Sequence, residues 1–191
     1  MIFAIKKIFV LLLVVFSAQV FADTATFTET PYKEPQAVYD FYFNEPEDIN
    51  SALYWVRSLM NSLMDAPYNI DPEMMDIVVV IHGMEIVTVA SKNYQRYKSA
   101  VDRMRYFSEL GVRFKVCGLA AGDYGYAVED FQDFIEVIPS AINELVHWQQ
   151  QGYALKGFGT GSGNVGVNAR GTAWRSAAPH AHPGHETDEF F

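Results

Sequence analysis

Apolar positions along this chain switch between a period of two and a period near 3.6. Over residues 36–43, Val38, Asp40 and Tyr42 alternate with Tyr39, Phe41 and Phe43, which predicts a strand. Asn44 with Glu47 three residues on resembles a capping box, and Pro46 and Asp48 suit a first helical turn. Ile49, Leu53, Val56, Met60, Leu63 and Met64 then recur at helical spacing as far as Ala66-Pro67-Tyr68-Asn69. Residues 76–81 form a continuous β-branched run, the pattern of a strand buried on both faces. His82-Gly83 ends that run. Tyr94, Tyr97, Val101, Met104 and Phe107 mark one face of a helix over 91–110, stopped by Gly111. Residues 112–117 read as a third strand and 136–138 as a short fourth. Pro139-Ser140 opens a helix through Gln151 with Ile142, Leu145 and Val146 inward, and Tyr153-Ala154-Leu155 suits a last strand.

Strands thus alternate with helices. This predicts an α/β fold: a single domain with a mainly parallel β-sheet and helices on both faces. Right-handed crossovers bring successive strand ends to one edge. His82 and Cys117 both fall at such ends.

The two termini differ from this middle. Lys6 and Lys7, the apolar run 8–16 and Val20-Phe21-Ala22 read as a secretory signal peptide over 1–22, cleaved after Ala22. The run is short for a membrane span, which needs about 20 residues. A periplasmic or secreted chain follows, with no membrane attachment after cleavage. Residues 23–35 read as an extended leader, 36–155 as the α/β domain, and 156–191 as a Gly-rich, His-containing disordered tail with too little apolar content to pack. His180, His182 and His185 lie in that tail, and no metal site is assigned to them. The tail glycines are not expected to follow a buried strand or open a helix, so no dinucleotide site is assigned there. No phosphate-loop lysine or Gly-x-Ser-x-Gly occurs either, and no cofactor is expected.

Removing the signal takes away two of the 14 basic residues and none of the 23 acidic ones, leaving 12 against 23, a formal charge of −11. Such a surface repels phosphate backbones, so nucleic acid is not a partner. The chain has one cysteine, Cys117, in a compartment where disulfides are normal. A single thiol cannot close an internal disulfide or supply a Cys-rich metal site. It is either a packed small hydrophobe or a reactive group at the edge where ligands gather in open α/β sheets.

If Gly118-Leu119-Ala120-Ala121 begins a helical turn, its backbone N–H groups favour a thiolate and offer an anion cradle. His82 is a candidate partner if its strand neighbours that of Cys117. Glu85 either pairs with His82 or accepts backbone hydrogen bonds near a helix start. Asp123-Tyr124-Gly125-Tyr126 either walls a pocket, with Tyr126 as a binding residue, or forms a packed turn or subunit contact. His147, beside Trp148 on a helix, reads as structural.

The run Val79-Val80-Ile81-His82-Gly83-Met84-Glu85 and the later Phe114-Lys115-Val116-Cys117-Gly118-Leu119-Ala120-Ala121 resemble the DsrE/DsrF-like family. Pro139-Ser140-Ala141 and Trp148-Gln149-Gln150-Gln151-Gly152-Tyr153-Ala154 extend the match, most of all to the exported branch. The resemblance implies a parallel-sheet α/β fold assembled as a homo-oligomer, often a trimer or hexamer. Cytoplasmic relatives carry sulfur as a persulfide on a cysteine at the strand end that Cys117 occupies. The implied activity is at most sulfur transfer, with a sulfur donor or acceptor protein as partner. The alternative is an oligomeric module that binds a small ligand or a partner, with Cys117 as a structural wall residue.

Overall fold

The structure is a computed structural model that describes residues 25–32, 34–159, 165–167 and 173–175. The expected signal peptide and most of the tail, with its three histidines, lie outside the described residues. The chain divides into two compact units, Met1–Pro31 and Tyr32–Phe191. In the first, residues 25–31 are exposed and lack regular structure. The second holds the sheet.

Five strands form one parallel sheet: β1 (Gln36–Tyr42), β2 (Asp76–Ile81), β3 (Arg113–Cys117), β4 (Ile135–Ile138) and β5 (Ala154–Gly159). Their spatial order is β4-β3-β2-β1-β5. The chain moves outward from β1 to β4, then returns to the far side of β1. That reversal makes the β1/β5 boundary the topological switch point, outside whose carboxyl ends ligands collect in open sheets.

Handedness decides where the helices go. A right-handed crossover puts helices on one face while the chain moves in one direction, and on the other face after it reverses. Accordingly α1 (Ile49–Met64) and α3 (Lys98–Glu109) share a core with Tyr39, Phe41, Ile77, Val79, Phe114 and Val116. After the reversal, α5 (Ala141–Gln150) packs through Ala141 and Leu145 on Val38, Val78, Val80 and Cys117. Two short helices complete the set, α2 (Ile86–Val89) and α4 (Gly118–Asp123). The expected α/β architecture, with a parallel sheet and helices on both faces, is the one observed.

Several local readings shift. The first long helix begins at Ile49, after a 3-10 turn at Pro46–Asp48, and Met64 is exposed. The second begins at Lys98 rather than Ser91. Asn93 donates its side-chain amide to the Val87 carbonyl at 2.8 Å and to the Tyr126 hydroxyl at 3.2 Å, holding a turn where the pattern expected helix. At its far end Gly111 takes φ +96°, a left-handed stop that favours glycine.

On α5, Leu145 is buried, but Ile142 and Val146 are 62% and 47% exposed, against the expectation that all three face inward. Polar contacts set this rotation. Trp148 donates its indole N–H to Glu144 at 2.8 Å, and the 8%-exposed Lys115 reaches Glu144 at 3.2 Å and Glu136 at 2.6 Å. Arg113 bonds Asp76 and Tyr153 and lies over the Trp148 ring. Turning Ile142 inward would cost the Lys115 ammonium one of its two carboxylate partners and the Trp148 indole its acceptor.

The last strand continues to Gly159, past its expected end at Leu155, so the glycine-rich stretch begins inside a strand rather than in loose chain. Further on, Val165–Val167 pairs antiparallel with Ala173–Arg175. Both differ from a wholly disordered segment over 156–191. Backbone pairing along β1 supplies partners for β5 that side-chain composition does not reveal.

Candidate functional site

Register builds the site. In register, Phe41 pairs with Ile81 between β1 and β2, Ile81 with Val116 between β2 and β3, and Cys117 with Ile138 between β3 and β4. One step further, Tyr42, His82, Cys117 and Ile138 form a rank across the carboxyl edge. Alternation along each strand puts this rank on the face that α5 partly covers. His82 therefore follows the strand next to that of Cys117, which meets the condition for its candidate role.

The His82 ring is drawn toward β1. Its Nε2 lies 2.6 Å from Asp40 Oδ1, and Tyr42 stacks on it at 5.0 Å between centroids, tilted by 30°. No hydrogen bond joins His82 to Cys117. A carboxylate only accepts, so the neutral tautomer compatible with this contact carries its proton on Nε2 and its lone pair on Nδ1. Tyr42 is exposed, whereas the His82 and Asp40 side chains retain 17% and 29% exposure.

Cys117 is 5% exposed, packed among Val38, Val78, Val80, Ile138, Ala141 and Leu145. The helix α4 starts at the next residue, as the Gly-Leu-Ala-Ala run predicts. Gly118 backs onto the Ile138 carbonyl, which would lie 3.0 Å from a Cβ at that position. Leu119 is 67% exposed, and Ala120 bridges both cores.

Glu85 takes the second of its two expected roles. It is fully buried and accepts backbone N–H bonds from Phe43 at 2.9 Å, His82 at 3.1 Å and Gly83 at 2.9 Å. Its carboxylate ties the ends of β1 and β2 together and fixes the backbone of His82. Burial pushes its carboxyl above the ordinary value, and the N–H donors pull it back only in part.

Tyr126 is not brought to the thiol. It accepts from Asn93, stacks on Phe131 at 5.7 Å and packs on the larger core. The Asp123–Tyr126 segment leaves the end of α4 at Asp123 through a turn at Tyr124–Gly125, with Gly125 at φ +73°. His147 is exposed and sits edge-on to Trp148.

Asp40 and Tyr42 are the site residues that pattern alone did not single out. Each was read as one member of an alternating strand. A carboxylate in the column of Val38 was the available signal. Among the described residues, no three His, Cys, Asp or Glu side chains converge as a metal ion requires, and no helix is long and apolar enough to cross a membrane.

A DsrE/DsrF-like family model matches residues 37–155, and the chain belongs to that family. The match begins in β1 and ends in β5, so it takes in the whole edge described above. Among solved structures, a protein of unknown function from Methanobacterium thermoautotrophicum, MTH1491, is similar at 19% identity and a TM-score of 0.52. The similarity covers 65% of this chain and 99% of that one, and it shows the shared fold. No curated protein matches the chain.

Proposed function

We propose that this is an exported sulfur-carrier protein that holds sulfur on Cys117 as a persulfide and passes it to an acceptor. Family membership supports a sulfur-relay role in general. The observation that carries the finer reading is the rank at the sheet edge, where the sole cysteine stands beside an imidazole held by Asp40.

The chemistry is a thiol exchange without net oxidation. The Cys117 thiolate attacks the outer sulfur of a donor persulfide. A bond forms between that sulfur and Sγ, the donor's S–S bond breaks, and the donor leaves as a thiolate. The proton released by Cys117 passes through the His82 side of the edge or through water and ends on the departing donor. An acceptor thiolate reverses the sequence and restores the thiolate of Cys117.

Lys6-Lys7 and the apolar run 8–16 support export to the periplasm or beyond. Exposed Ile142, Val146 and Leu119 offer apolar area for a homo-oligomer, trimer or hexamer. A donor or acceptor protein is the other partner in this reading.

One observation favours a second reading, an oligomeric binding module in which Cys117 is structural. The thiol is 5% exposed within an aliphatic cluster. Intact mass separates the two. After exposure to a low-molecular-weight persulfide, the wild type should gain one sulfur and Cys117→Ser none. No gain in the folded wild type sinks the carrier reading and leaves the binding module.

A further inference from the structure

We propose that Asp40 is a positioning residue for His82: it holds the imidazole in the tautomer that leaves Nδ1 able to take the Cys117 proton. The inference rests on the carrier reading and assigns its proton acceptor.

Three constraints converge on one imidazole. Asp40 holds Nε2 at 2.6 Å, Tyr42 stacks at 5.0 Å, and Glu85 fixes the backbone N–H at 3.1 Å. A histidine that merely fills space needs no such set. A neutral imidazole without a partner exchanges between two tautomers, and one of them would present an N–H donor at Nδ1. An acceptor-only carboxylate at Nε2 removes that tautomer. It does so from β1, the strand at which the sheet order reverses.

The surroundings keep this pair reachable. The register partner of Asp40 on β5 is Gly157, and a Cβ there would meet nothing within 4 Å among the described residues. The strand beside Asp40 therefore adds no side chain over the pair. Gly157 is exposed and the Asp40 and His82 side chains keep 29% and 17% exposure, while α5 packs on Val38 two residues before Asp40.

In the resulting step, the Cys117 S–H bond breaks as its proton moves to Nδ1, directly or through one water. The sulfur keeps the electron pair and attacks the donor. The proton then leaves Nδ1 for the departing donor thiolate, which returns His82 to its starting state. The gain is bounded, because an unassisted thiol is already a few per cent thiolate near neutral pH; loss of the base should slow the reaction by roughly tenfold.

The test measures alkylation of Cys117 by iodoacetamide at neutral pH in the folded full chain, alongside nitrogen-15 NMR of labelled histidine. In the wild type, Nε2 should be the protonated nitrogen. Asp40→Asn can offer an amide N–H to Nε2 and move the ring proton to Nδ1, the change known to disable such an imidazole. It should slow alkylation about as much as His82→Gln, with no further loss in the double variant, and Asp40→Glu should recover part of the rate. An unchanged rate in Asp40→Asn, or a protonated Nδ1 in the wild type, overturns the assignment. If Asp40→Asn alkylates normally while the wild type still accepts sulfur from a persulfide, this inference fails alone. If the folded wild type neither alkylates nor accepts sulfur, the carrier reading fails and the inference falls with it.

Discussion

Gly83→Ala should lose about 3 kcal/mol or more of folding stability, the upper end for forced overpacking. A Cβ at Gly83 would lie 2.7 Å from the Phe43 carbonyl oxygen and 2.5 Å from Glu85 Oε2, with the Phe43 nitrogen closer still. Two of those atoms are backbone, so no side-chain rotation relieves the contact. The ends of β1 and β2 must separate, and the Glu85 bonds that hold them must stretch. The loss should appear as a lower urea midpoint at unchanged slope. A change under about 1 kcal/mol would mean that this close approach is not what holds the edge.

Glu85→Gln should cost about 2 kcal/mol at neutral pH, within the range for orphaned buried donors. The variant keeps one carbonyl oxygen for His82 and Gly83. It turns an amide NH2 toward the Phe43 N–H, where Glu85 Oε2 now accepts at 2.9 Å. Two donors then face each other without an acceptor.

The pH dependence has a definite sign. Burial raises the Glu85 carboxyl above its ordinary value of 4.5, so the folded state binds that proton more tightly than the unfolded state does. Its stabilising contribution is fully present below 4.5 and is lost as pH rises through the raised folded value. The amide does not titrate. The wild type should therefore gain on the variant as pH falls from neutral toward 4.5, seen in paired urea titrations. A gap that narrows on acidification would show that the three N–H donors outweigh burial.

The sheet was legible because β2 is β-branched from Ile77 to Ile81 and β3 sets Val112, Phe114 and Val116 in alternation with Arg113 and Lys115. Residues 76–81 and 112–117 have no competing helical pattern, and alternation with helices leaves a parallel sheet as the simple outcome. Strand ends were legible too: His82 and Cys117 each close a strand pattern, and the β2–β3 register sets those ends side by side. What escaped the pattern depends on partners distant in sequence. Asp40 matters because of His82, 42 residues later, and nothing local marks that. The rotation of α5 follows from Lys115, Glu144 and Trp148, whose polar contacts override the apolar stripe of Ile142 and Val146. Glu85 was ambiguous because a carboxylate after a strand can serve a side chain or the backbone. Only the approach of Phe43 decides it.

Sulfur transfer at this edge requires a small reagent to reach a thiol packed beneath α5. Its 5% exposure leaves room for local opening of α4 or α5 to set the rate. The most direct test is a thiol count with a small disulfide reagent, first on the folded full chain and then after unfolding. The account predicts one reactive thiol in the folded protein, lost in Cys117→Ser. A thiol that reacts only after unfolding would contradict it and make Cys117 part of the core.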